Sequence, residues 1–187
     1  MKRRFNLVAL VLITLLTSIF MASCQSPIPR QDVVGRMMPD VVGESLDGQV
    51  VSLPQRDRGR PAVVLVGYKQ RAQFDADRWL FGLLQAETPV ELWELPTIPG
   101  IFGGLASSWI DNGMRGGIPK EDWGVVVTLY GDDADRMKDF TGTEDGHNIR
   151  VMLIDSRGQV QWSHDRGYSA GKMLELDRLV RSMVENR

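Results

Sequence analysis

Apolar residues along the chain fall into two kinds of run. Ala62 to Tyr68 and Gly124 to Tyr130 are continuous and rich in β-branched residues, which suits strands covered on both faces. Val90 to Leu95 predicts another strand, broken off by Pro96 and Pro99. Between these runs the period changes. From Arg71 to Gln85 apolar residues fall at 76, 79, 80, 83 and 84, the stripe of an amphipathic helix. Ile101 to Ile110 repeats that spacing and is expected to end at Gly113, and Asp133 to Phe140 can form a short helix. Ser169 can cap a last helix with Met173, Leu176, Val180, Met183 and Val184 inward. Asp47-Gly48 divides Val41 to Leu53 into two β-prone runs, and Asp155 to Gly158 separates Ile149–Ile154 from Val160–Trp162. Both predict hairpins. The order is hairpin, β, α, β, α, β, α, β, β, α. It predicts an α/β sheet with helices on both faces and the last hairpin as an antiparallel edge.

The first 23 residues follow another logic. Lys2, Arg3 and Arg4 precede an uncharged apolar run from Leu7 to Met21. That run is shorter than the roughly 20 residues a membrane-spanning helix needs, and it ends in the small residues Ala22 and Ser23. This is the form of an export signal. The chain's single cysteine, Cys24, follows at once. Gln25 to Arg36, with Pro27 and Pro29, reads as a short extended tether, and the folded domain is expected over residues 37–187. Beyond the signal, 19 Lys and Arg stand against 24 Asp and Glu in a chain that is 43% hydrophobic. A mildly acidic body without a basic stripe argues against nucleic acid as a partner.

Met21-Ala22-Ser23-Cys24 resembles the lipobox of bacterial lipoproteins, with Met in place of the preferred Leu. The resemblance implies cleavage before Cys24 and fatty acylation of it, giving a membrane anchor of two or three chains. Gln25 rather than Asp implies, by the same analogy, the outer membrane facing the periplasm. A plain signal peptide or uncleaved anchor is the simpler alternative.

Pro39, Leu46-Asp47-Gly48, Val51-Ser52-Leu53, Pro61 to Val66, and Met152 to Asp155 followed by Gly158 and Val160 stand in an order similar to the thioredoxin-like superfamily. The order resembles especially its peroxiredoxin and thiol-antioxidant branch. The resemblance covers roughly residues 39 to 184 and implies a central mixed sheet flanked by helices, with an N-terminal hairpin. Its chemistry does not carry over. Redox members place cysteines between the first core strand and its helix, where this chain has Tyr68 to Ala76, with Gln73 and Ala76 near the expected sites. A thiolate is the nucleophile in that chemistry, so dithiol exchange and thiol peroxidase activity are excluded for the folded domain. Those families also place a cis-proline where Ile149 stands. The "WELP", "IDNGMRGGIP" and "VVTLYG" segments between Trp93 and Tyr130, with Arg115 and the final hairpin, resemble the mitochondrial ATP-synthase assembly factor family. That likeness implies assembly or chaperone work.

Lys69, Arg71 and Gln73 follow a buried strand and open a helix, where α/β sheets bind ligands. Glu94 ends the next strand, and Arg115 lies in a glycine-rich turn and can grip a carboxylate, phosphate or carbonyl. These five residues are expected to gather as a ligand or partner surface. The simpler alternatives are a solvated helix turn for residues 69–73 and an ion pair between Asp111 and Arg115. Trp93 is expected in the core. His147 and His164 lack metal-ligand spacing and read as surface-loop residues. No Walker loop, dinucleotide fingerprint or Gly-x-Ser-x-Gly appears, so no metal or cofactor is expected. Two functions remain open: a redox-inactive, membrane-tethered module that binds or assembles an envelope complex, and an envelope enzyme working with non-thiol residues on a small substrate.

Overall fold

The computed structural model describes residues 27–55, 60–100 and 105–185. Cys24 and the signal segment lie outside them, as do Ile101 and Phe102. The strands are β1 (Val41–Ser45), β2 (Val50–Leu53), β3 (Ala62–Gly67), β4 (Glu91–Ile98), β5 (Val127–Tyr130), β6 (Arg150–Ile154) and β7 (Val160–His164). The helices are α1 (Gln73–Gln85), α2 (Leu105–Arg115), α3 (Gly131–Thr141) and α4 (Ala170–Glu185). One sheet holds all seven strands in the order β2-β1-β5-β4-β3-β6-β7. β3, β4 and β5 run parallel, while both hairpins and the β1–β5 and β3–β6 contacts are antiparallel.

The strand period of two sorts side chains onto two cores. Val64, Val66, Trp93, Leu95, Val127, Leu129 and Met152 pack under α3 with Met137 and Phe140. Val63, Leu65, Val151, Leu153 and Trp162 pack under α1 and α4 with Trp79, Leu83, Leu176 and Val180. Trp79 is wholly buried, and truncating such a side chain costs about 3–5 kcal/mol. At Gly82 a Cβ would come within 2.9 Å of the Met173 side chain, so glycine lets α1 and α4 approach. Leu92 belongs to the α1 side of β4, and by alternation Glu94 faces the same way.

Three boundaries and one burial differ from the pattern, beginning with β4, which runs through Pro96 to Ile98 although the proline is expected to break it. α2 runs through Gly113 to Arg115, since a lone glycine inside a helix costs only about 1 kcal/mol. β5 starts at Val127 because Lys120–Val125 winds into a 3-10 helix. Leu84, placed by its spacing on the inner stripe of α1, is 63% exposed.

The segment read as a tether is laid onto the domain from Ile28 onward. Ile28 N–H donates to Thr143 Oγ1 at 2.9 Å, and the N–H groups of Thr143 and Glu144 donate back to the Ile28 carbonyl at 2.9 Å. Farther along, Gly35 N–H reaches the Val160 carbonyl at 2.8 Å, and Val33 and Met38 enter the α3-side core. Gly142, at φ +75°, sits where any Cβ would run into the Pro29 carbonyl. The segment therefore crosses the α3 face from the loop before β6 to the β6–β7 turn.

Candidate functional site

The carboxyl ends of β3 and β4, the first turn of α1, and the loops 142–149 and 165–169 converge at one end of the sheet. Open α/β sheets bind ligands at such ends. The 3-10 turn Gln70–Ala72 places Lys69 and Arg71 outward on the rim, both exposed. Gln73 turns inward instead and hydrogen-bonds the Glu94 carboxylate. The same Gln73 amide donates to Asp77 Oδ1 at 3.2 Å.

Glu94 is 7% exposed on a central strand. Burial pushes its pKa up to about 7, the Gln73 hydrogen bond opposes that rise, and Asp77 and Asp122 reinforce it. Of the five predicted residues, the structure joins Gln73 and Glu94 and leaves Lys69 and Arg71 at the rim beside them.

Arg115 goes elsewhere. Its Nε donates to the Leu46 carbonyl at 2.7 Å, Nη1 donates to Asn112 Oδ1 at 3.0 Å, and the guanidinium lies 5.9 Å from the Trp123 ring. It ties the β1–β2 turn to the 3-10 helix at the amino side of β5, because α2 runs antiparallel to that strand. Asp111 does not pair with it, since Asp111 Oδ1 accepts the Tyr130 hydroxyl at 2.9 Å.

Sequence reasoning missed two polar residues at the site end. Asp75 is buried in the first turn of α1, where its carboxylate accepts Ile149 N–H at 3.0 Å and Tyr168 N–H at 2.6 Å. It binds the loop before β6 and the loop before α4 to the helix. A proline at 149 would have no N–H to give, so this bond and the family's cis-proline are mutually exclusive. The signal was present, since Asp75 precedes Trp79 by one helical turn on the buried stripe.

The second is Arg150, 3% exposed, lying 5.1 Å over the Tyr68 ring. Its Nη1 donates to the Asn148 carbonyl at 2.9 Å and its Nη2 to the Glu144 carbonyl, while its Nε has no partner among the described residues. Burial pulls the Arg150 pKa below its usual value, and burial pushes the Tyr68 phenol well above its own. The Tyr68 hydroxyl shares a hydrogen bond of 2.7 Å with Thr141 Oγ1.

Trp93 is core, as its pattern predicts. His147 is exposed, but His164 ends β7 half-buried, 5.7 Å from the Trp79 ring and bonded to the Gly167 carbonyl at 2.8 Å. It is not a surface-loop residue. Among the described residues no three His, Cys, Asp or Glu side chains gather as a metal set. A shallow open concavity of about 470 Å³ lies away from the site end, against Ser45, Val51, Trp93 and Gly124, and includes none of the five predicted residues.

The chain matches no protein-family model and no curated protein. Solved structures do resemble it. BsSco, a member of the Sco family of cytochrome c oxidase assembly proteins, superposes with a TM-score of 0.56 at 12% identity, over 84% of this chain and 98% of that one. The thioredoxin domain of a thiol-disulfide oxidoreductase from Bacteroides vulgatus gives 0.55 at 14% identity, over 80% and 99%. The exposed lipoprotein thioredoxin of Streptococcus pneumoniae gives 0.53 at 12% identity, over 75% and 99%. The fold is therefore thioredoxin-like: a mixed seven-stranded sheet flanked by helices, with an N-terminal hairpin.

Proposed function

We propose that this chain is a redox-inactive, thioredoxin-like lipoprotein that binds a protein partner or helps assemble a complex in the cell envelope. The observation that carries the reading is the segment Tyr68–Ala76. It occupies the place where this fold carries its thiols, and it holds Gln73, Asp75 and Ala76. Amide, carboxylate and methyl groups cannot attack a disulfide or a peroxide. Asp75 instead fixes the loops around the helix start. Acylation of Cys24 supplies the tether, and the likeness to the ATP-synthase assembly factor family supports assembly as the task. The similarity to BsSco, a member of an assembly-protein family, is consistent with that task.

An enzyme without thiols would need an acid–base group open to a small substrate. Glu94 titrates in a useful range, but it is buried and held by Gln73, so the binding reading is preferred. The test has two arms. Purified protein carrying Cys24→Ser should reduce no disulfide and consume no peroxide. Wild-type protein in cells should take up an acyl probe that Cys24→Ala does not, and should capture a defined envelope complex. Thiol turnover by the cysteine-free chain, or equal labelling of both forms, would refute the reading.

A further inference from the structure

We infer that the end of the sheet carrying Lys69, Arg71 and Arg166 lies against the bilayer surface and contacts phosphate-bearing lipid headgroups. This rests on the proposed acylation of Cys24. Only three residues separate Cys24 from Ile28, so the two Cα atoms are at most about 14 Å apart. Ile28 itself has no freedom to move away. Its N–H and carbonyl are stitched to Thr143 and Glu144, and Gly142 admits the Pro29 carbonyl where a side chain would block it. The loop that receives it packs on the rim of the site, since a Cβ at Gly146 would stand 3.2 Å from Lys69 Cε. An anchor at residue 24 therefore fixes which end of the domain meets the membrane.

The chemistry of that end agrees. Arg30 engages Asp145, at 3.6 Å, and Asp165, and its backbone N–H donates to Glu144 Oε2 at 3.1 Å, so the three acids nearest this end gather around Arg30. Lys69, Arg71 and Arg166 are exposed and form no ion pair among the described residues. Phe74, in the first turn of α1 at the same end, is 69% exposed, and an aromatic ring beside cations suits the headgroup boundary. The body beyond the signal has five more acids than bases, so an anionic surface repels the remainder and favours this orientation.

The experiment uses the full acylated chain in vesicles whose headgroups carry a fluorescence quencher. Single labels are attached through Lys69→Cys or Arg166→Cys at the site end and through Ser156→Cys at the β6–β7 turn. With phosphatidylglycerol vesicles the labels at 69 and 166 should be quenched and the label at 156 spared. With all-phosphatidylcholine vesicles the difference should shrink. Since labelling removes a cation, Phe74→Cys serves as the reporter in the K69Q/R71Q/R166Q background. There the contact should weaken roughly a hundredfold, at about fivefold per cation. Vesicle flotation and acyl-probe incorporation are read in the same samples. Flotation with equal quenching at both ends overturns the orientation and leaves the lipoprotein reading standing. Absence of acylation removes that reading and the inference with it. Labels protected only in native envelope preparations, and never quenched in lipid vesicles, would place a protein there and overturn the lipid assignment.

Discussion

Asp75 and Glu94 are two carboxylates of equal burial, each 7% exposed, on opposite flanks of the first turn of α1. Their surroundings divide them. Asp75 accepts two backbone N–H groups from loops that would otherwise leave those donors without partners. Glu94 has the amide of Gln73, which it shares with Asp77, and a further acid, Asp122, nearby. One carboxylate holds the fold together, and the other is held by it at a cost. Burial alone therefore says little about a carboxyl group until its donors and neighbouring charges are known.

The comparison is broken most directly at Asp75. Asp75→Ala leaves one buried and one half-buried N–H without their acceptor and should cost about 2–4 kcal/mol, read by denaturant unfolding. Asp75→Asn keeps one acceptor and should lose about half as much. A loss below about 1 kcal/mol for the alanine variant would show that the loops do not depend on this carboxylate.

Glu94 should give the next largest effect, with the opposite sign. Folded Glu94 keeps its proton up to about pH 7, whereas the unfolded chain releases it near 4.5. Over that interval the folded state binds the extra proton. Its stability contribution is complete below about 4.5 and is lost as pH rises through about 7. At about 1.4 kcal/mol per pH unit the loss approaches about 3 kcal/mol. Glu94→Gln should remove this slope and make the protein more stable than wild type at pH values above about 7. Parallel stability–pH curves for the two proteins would contradict the assignment.

Arg115 sharpens the comparison from the other end of β5. Arg115→Ala removes the bond to the Leu46 carbonyl and the contact with Trp123, and should cost about 1–2 kcal/mol in thermal unfolding. The exposed Arg71→Ala should shift stability by no more than about 0.5 kcal/mol. With the rim turned to the bilayer, partner capture should be unchanged by Arg71→Ala, and a loss of capture at unchanged stability would place a protein at the rim and overturn the lipid assignment. Normal capture by Arg71→Ala together with loss at an equally folded Arg115→Ala would place the partner surface at the β1–β2 turn.

The order of strands and helices, both hairpins and the core position of Trp93 could be read from the chain, because periodicity and turn chemistry act over a few residues. The absence of a thiol between β3 and α1 was equally legible, since it depends only on which residue types are there. The partners of the polar residues were not. Glu94, Gln73 and Asp77 come together because β4 lies beside β3, which feeds α1, while Asp122 acts on Glu94 from the 3-10 helix that leads into β5 on the other side of β4, and that adjacency is set by sheet order. Arg115 reached Leu46 instead of Glu94 because α2 runs past Gly113 and delivers its last turn to the amino side of β5. Asp75 looked like one more polar residue at a helix start, until the folded loops brought Ile149 and Tyr168 to it. Local pattern marks most of the apolar residues that turn inward, and only tertiary structure decides which inward polar groups find donors, because donors such as those to Asp75 come from segments more than 70 residues away.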